Sequence, residues 1–151
     1  MKRLLILSGK GGTGKTTTAA AFIQFSQSHA IADCDVDAPN LHIVTEKTGE
    51  CRTKEFIGSK KAVIDETLCV HCGNCAEKCR FNAISDKGRS YGVDEYHCEG
   101  CGVCQYVCPN DAVRLVEDVA GKQELYLGDT VFSTATLKMS RGNSGKLVTA
   151  V

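Results

Sequence analysis

The chain has no excess of charge of either sign and no long apolar run. Its 18 lysines and arginines balance 18 aspartates and glutamates, for a formal net charge of +0. The lysines are spread along the sequence, so nothing marks a nucleic-acid groove or an anionic membrane surface, and no polyanion beyond a nucleotide is expected as a partner. Lys2 and Arg3 precede only the apolar run Leu4 to Leu7, far short of a signal-peptide core or a membrane span. The sequence therefore predicts a cytoplasmic protein. What it has in abundance is cysteine, ten residues in 151. In a reducing compartment those cysteines have to be explained by metal rather than by disulfides.

Eight of them fall into two matching runs. Cys69, Cys72, Cys75 and Cys79 follow CxxCxxCxxxC, and Cys98, Cys101, Cys104 and Cys108 repeat it, the last followed by Pro109. This is the bacterial ferredoxin spacing, twice. Three closely spaced thiolates wrap one iron–sulfur cube, and the fourth cannot turn back, so it ligates the other cube. Cys69, Cys72, Cys75 and Cys108 are therefore assigned to one [4Fe-4S] centre, and Cys98, Cys101, Cys104 and Cys79 to the second. Zinc in paired CxxC units is the rival, but the three-residue gap, the proline and the repeat favour iron–sulfur. The flanks repeat as well: AVIDETLC answers GVDEYHC, and CRFNAI answers CPNDAV. Two similar halves related by a pseudo-twofold axis are expected, together resembling a two-cluster ferredoxin module over residues 60–118.

Arg80 stands where a proline usually follows the first run, and ligation is expected to survive it. Gly73, Gly100 and Gly102 let backbone N–H groups approach the sulfurs. With both clusters bound, eight thiolates at roughly −8 and two oxidised cores at roughly +4 make the loaded module acidic, about −4. His71 and His97 are expected to pack or to form hydrogen bonds rather than replace a thiolate. Cys34 and Cys51 have no second cysteine at ligand spacing and read as incidental thiols.

The N-terminus carries a different chemistry. Gly9, Lys10, Gly11, Gly12, Thr13, Gly14, Lys15 and Thr16 fit GxxxxGK[ST], with Thr17 following. Glycines there let successive N–H groups turn onto an anion, Lys15 adds a point charge, and the Thr16 hydroxyl suits Mg²⁺. Leu4 to Leu7 suit a buried parallel strand and Thr16 to Phe25 a helix, which gives strand, loop, helix and an ATP site at the helix N-terminus. A second stretch, HAIADC, leads into Asp33, Asp35 and Asp37, whose hard oxygens suit Mg²⁺ or an attacking water.

KGGTGKTT followed by DCDVDAPNL resembles the deviant P-loop group of MinD, ParA, Mrp and the nitrogenase iron protein. With the cysteine block after it, the chain resembles MinD-superfamily ATPases containing an inserted ferredoxin domain. The resemblance implies an α/β P-loop NTPase fold with a partial parallel sheet and an inserted α+β two-cluster ferredoxin module. It implies that Lys10 reaches ATP on the opposite subunit of a nucleotide-sandwich homodimer. It also implies that Lys15 and Asp35 serve catalysis, with Thr16 and Asp35 at the Mg²⁺; Asp37 departs from several relatives and receives no role.

The domains expected are 1–59 for the first part of the ATPase, 60–118 for the ferredoxin insert, and 119–151 for an apparently truncated return to the ATPase. Removing residues 60–118 leaves about 92 residues, short of the 150 or more usual for a doubly wound domain. No apolar strand ending in aspartate with a Gly-containing switch II loop follows. LYLGD at 125–129 lacks such a loop, and VRLVED reads as the ferredoxin module's closing strand. ATP binding without efficient hydrolysis is expected. The function expected is nucleotide-gated electron transfer through two [4Fe-4S] clusters to an unidentified redox or cluster-acceptor protein, with a cluster-assembly ATPase of the Mrp type as the alternative.

Overall fold

A computed structural model describes residues 3–9 and 11–151. The chain forms two compact units, one from Met1–Glu55, Gly121–Leu137 and Ser144–Val151, the other from Phe56–Ala120 and Lys138–Asn143.

The first unit contains α1 (Lys15–Ser26), β1 (Ala30–Asp33), a 3-10 turn at Leu41–Ile43 and, closing the chain, α4 (Ser144–Val148). Its sheet also takes β2 (Glu50–Ile57), β7 (Val119–Leu127) and β8 (Val131–Leu137), in the order β1-β8-β7-β2. β1 lies parallel to β8, with Ala30 opposite Val131, whereas β7 and β8 form an antiparallel hairpin with Leu127 opposite Val131. Phe132, Ala135 and Leu147 are fully buried and anchor the core.

This corrects the expected fold class. An α/β P-loop NTPase would carry Leu4 to Leu7 as a buried parallel strand. Residues 3–8 instead form no strand, and Leu4, Leu5 and Leu7 are 66%, 75% and 79% exposed. α1 buries none of its side chains. LYLGD ends β7 and turns straight into β8, so an antiparallel hairpin occupies the sheet where a doubly wound domain would continue with parallel crossovers.

The second unit is built from β3 (Lys61–Ile64), α2 (Asn74–Glu77), β4 (Ile84–Asp86), β5 (Tyr91–Val93), α3 (Val103–Tyr106) and β6 (Val113–Val116). Each half runs strand, cysteine loop, one helical turn, strand. β3 pairs antiparallel with β6, Lys61 opposite Val116, and β4 with β5, Ile84 opposite Val93. The β3–β6 pair joins the strand leading into the first cysteine run to the strand leaving the second, and the β4–β5 pair does the converse.

The 29-residue offset between Cys69 and Cys98 repeats in the backbone. Gly73 and Gly102, at φ 81° and 82°, precede α2 and α3. His71 corresponds to Gly100, and Asn82 to Asp111, all at positive φ. The N–H of Asp65 donates to the Ala112 carbonyl at 2.8 Å, and that of Asp94 to the Ala83 carbonyl at 2.7 Å. Both bonds cross from one half to the other. The buried centre holds Ala62, Cys75, Ala83, Cys98, Cys104 and Val113, so three thiols form half of it.

Candidate functional site

The strand crossing decides which cysteines meet. Cys98, Cys101 and Cys104 line one cavity, and Cys79, from the other run, is the fourth cysteine in its wall. Cys69, Cys72 and Cys75 line a second cavity, and Cys108 completes that set. The two are near equal, about 340 and 320 Å³ counted out to solvent. Among the described residues, no three His, Cys, Asp or Glu side chains converge closely enough to share one ion. The thiols surround two cavities, spaces that suit a cube filling the gap between sulfurs.

The surrounding polar groups suit such a cube. The Ala62 N–H donates to Cys98 Sγ at 3.5 Å and the Ala112 N–H to Cys108 Sγ at 3.3 Å, one contact per cavity. N–H groups aimed at sulfur stabilise added negative charge. Burial pushes the Cys75 and Cys104 thiols above the usual cysteine range, so both favour the protonated form until a metal takes the proton's place.

Each ligand loop is pinned at its start by an aspartate. Asp65 Oδ1 accepts from the Thr67 hydroxyl and N–H at 2.6 and 2.9 Å, and Asp94 Oδ1 accepts from the Tyr96 N–H at 2.9 Å. The Thr67 hydroxyl holds the Asp65 carboxyl below the usual range, with the Thr67 N–H second. His97 does the same to Asp94 through a 2.7 Å contact. His71 stacks on Tyr91, ring centroids 4.9 Å apart, and its Nε2 meets Asp86 at 2.9 Å.

Arg141 returns to this unit from the far end of the sequence. Its side chain, 6% exposed, pairs with Asp118 at 2.8 Å and Glu95 at 2.6 Å. Lys61, also buried, donates to the Cys98 carbonyl. Neither residue stands out in the sequence. Extending the flank alignment back to position 61 would set Lys61 opposite Ser90, whereas nothing local marks Arg141.

The N-terminal residues form a separate group. Lys15 Nζ pairs with Asp35 Oδ2 at 2.8 Å, a contact that raises the lysine's affinity for its proton, and Thr16 Oγ1 donates to Asn40 Oδ1 at 2.7 Å. Asp33 is buried and accepts from the N–H groups of Asp35 and Leu41 at 3.1 and 2.9 Å, which folds the acidic loop. Gly12 and Gly14 adopt φ 76° and 82°, with open space for 4 Å around the position a Cβ would take, in a loop whose Gly9, Gly11, Thr13 and Thr17 are exposed. Asp37 is exposed, as are Cys34 and Cys51. Lys10, and with it the expected contact across a dimer, lies outside the described residues.

Comparison with known proteins finds the 4Fe-4S dicluster domain over residues 62–115. An uncharacterized protein of Methanocaldococcus jannaschii is 34% identical over 101 residues, 65% of this chain and 34% of that protein. The PorD subunit of pyruvate synthase from the same organism is 32% identical over 76 residues, 50% of this chain and 81% of the subunit. Dihydromethanopterin reductase (acceptor) of Methanosarcina mazei is 40% identical over 65 residues, 37% of this chain and 27% of that protein. The chain thus spans about a third or less of the length of the first and last of these.

These matches correct the family expected from the N-terminal motifs. The shared domain is a dicluster ferredoxin, with relatives that are ferredoxins and PorD subunits, not a MinD-superfamily P-loop ATPase. No helix among the described residues is long and apolar enough to cross a membrane.

Proposed function

The chain belongs to the 4Fe-4S dicluster ferredoxin family, and from that premise we propose that it carries single electrons between redox proteins through two [4Fe-4S] clusters with crossed ligands. Cys69, Cys72, Cys75 and Cys108 hold one cluster; Cys98, Cys101, Cys104 and Cys79 hold the other. The observation that carries this reading is the pair of matched cavities, each walled by three cysteines of one run and one of the other. The clusters supply the one-electron chemistry. The chain's own residues exclude water around Cys75, Cys98 and Cys104, fix the loops through Asp65 and Asp94, and aim N–H groups at sulfur. The partner is a redox protein, a reading supported by the relatives that are subunits of pyruvate synthase.

Pairs of cysteine substitutions test the crossing. Cys79→Ala with Cys101→Ala strikes one cluster twice, so about four irons should remain per chain, whereas Cys79→Ala with Cys72→Ala strikes both and should leave almost none. The opposite pattern would place each fourth cysteine with its own run and reject the crossing. Wild-type protein reconstituted without oxygen should hold about eight irons and eight sulfides; zinc without sulfide would reject iron–sulfur altogether.

A second reading concerns residues 9–17, for which the Lys15–Asp35 pair is the favouring observation. A lysine at a helix N-terminus beside a glycine-rich loop suits a nucleoside triphosphate, with Thr16 and Asp35 at Mg²⁺. Nucleotide binding there would gate electron transfer. Lys15→Ala should abolish MgATP binding measured by calorimetry, and no heat of binding to wild type would remove this reading while leaving the clusters untouched.

A further inference from the structure

The two cavities are mates under the 29-residue offset, so residues that break the match carry information. Position 61 breaks it with a buried charge. Lys61 begins β3, is 8% exposed, and donates from Nζ to the carbonyl oxygen of Cys98. Its mate is Ser90, 3% exposed, so a neutral hydroxyl stands in one half where the other half buries an ammonium. Among the described residues, no carboxylate pairs with Lys61.

A buried cation without a counter-charge is costly. A cube held by four thiolates carries a net charge of about −2 when oxidised and about −3 when reduced. A cluster held by Cys98 and its partners would supply the missing anion, and more of it once reduced.

We propose that Lys61 makes the cluster of Cys79, Cys98, Cys101 and Cys104 the more readily reduced of the two, so that an electron reaching either cluster comes to rest there. The inference rests on the two-cluster, crossed-ligand reading above. The electron comes from a low-potential one-electron donor and moves between the two centres; no bond forms or breaks and no proton moves.

Other charge differences between the halves are exposed: Arg80, beside Cys79, stands where its mate is Pro109, and its charge is screened by water and salt. The N–H contacts to sulfur are equal in number, one per cavity, though they are not mates under the offset. Glu99 lines the same cavity where its mate Val70 lines the other, and its charge opposes reduction, but it is exposed and screened by water and salt. Lys61 is buried. Unit charges about 10 Å apart at an effective dielectric of about 20 bias an equilibrium roughly tenfold, equivalent to about 59 mV for one electron.

The test is an anaerobic redox titration of the reconstituted full chain, followed by electron paramagnetic resonance. Wild type should show two couples. Lys61→Met should lower the upper midpoint by the equivalent of roughly tenfold, moving it well beyond any shift of the lower one, and Lys61→Arg should restore it. Cys101→Ser should alter the signal of the upper couple, which identifies the cluster without touching Lys61. Unmoved midpoints in Lys61→Met at wild-type iron content, equal shifts of both couples, or a Cys101→Ser change confined to the lower couple would each overturn the proposal. If Lys61→Met fails to load, Lys61→Gln takes its place in the same titration, with an unmoved upper midpoint again overturning the proposal. A wild-type chain holding one cluster or none would instead defeat the two-cluster reading, and the iron count separates that outcome from an unmoved midpoint.

Discussion

Gly100→Ala should damage the protein far more than its place in a loop suggests. Gly100 lies at φ 66°, and a Cβ there would run into the backbone carbonyl of Lys60. Gly88, at φ 89° with nothing within 4 Å, provides the control. Both alanines meet the left-handed penalty of about 1–2 kcal/mol. Only Gly100→Ala adds the cost of overpacking, about 1–3 kcal/mol, since a carbonyl just ahead of β3 cannot swing aside as a side chain does. The mate position accepts His71 at φ 57° because that side chain stacks outward on Tyr91. The readout is the half-life of cluster absorbance in a fixed concentration of urea without oxygen. At about 1.36 kcal/mol per decade, the extra cost should shorten the half-life of Gly100→Ala by roughly 5- to 150-fold relative to Gly88→Ala. Equal half-lives for the two variants would refute the idea that Lys60 closes over the second ligand loop.

Other perturbations probe other parts of the same unit. Arg141→Met should lower the urea midpoint by the equivalent of about 3–5 kcal/mol, because Asp118, 15% exposed, is left without its partner, while Glu95, 59% exposed, contributes little. Adding Asp118→Asn should recover part of that loss, and full additivity of the two substitutions would show that they do not act as a pair. The Asp65 and Asp94 carboxyls are held below their ordinary range, so their contribution to stability is present above about pH 4 and disappears as pH falls through the lowered values. Cluster bleaching should accelerate over that acid window in wild type. Asp94→Asn should bleach faster at neutral pH yet show a flatter acid profile, and an unchanged profile would show that this carboxylate does not hold the loop.

The cysteine chemistry was legible because ligand spacing is a local property. Three thiolates spaced three residues apart reach around one cube whatever the rest of the chain does, and the repeat of AVIDETLC in GVDEYHC gives away the second half. The strand pairs that bring Cys79 toward Cys98 follow from the same repeat. The N-terminal sheet was not legible in this way. Leu4 to Leu7 have the composition of a buried strand, but burial requires a partner on each side, and α1 offers no buried face against which they could pack. The hairpin of β7 and β8 was hidden for a related reason: LYLGD has the composition of a parallel strand's end, and only its pairing with Val131–Leu137 shows it to be one arm of a turn. Lys61 and Arg141 were missed because charged residues read as surface residues until long-range neighbours bury them.

On the crossed-ligand reading, the crossing that gathers the ligands also makes the unit's core conditional on them. Cys75, Cys98 and Cys104 occupy half of the buried positions at its centre, so the middle of the unit is sulfur rather than a packed set of branched side chains. Around them Ala62, Ala83 and Ala112 leave the space that the two cavities fill. Larger aliphatic residues at these positions would pack a better metal-free core but would close the cavities. The two-stranded sheets are each too small to stand alone, and each joins opposite halves of the sequence. A cluster whose fourth ligand comes from the other run therefore ties the halves together where the sheets do so only weakly, and its binding free energy becomes folding free energy. On the crossed-ligand reading, electron transfer and structural integrity are carried by the same eight thiols, with Lys61 as a buried charge that one half has and the other lacks.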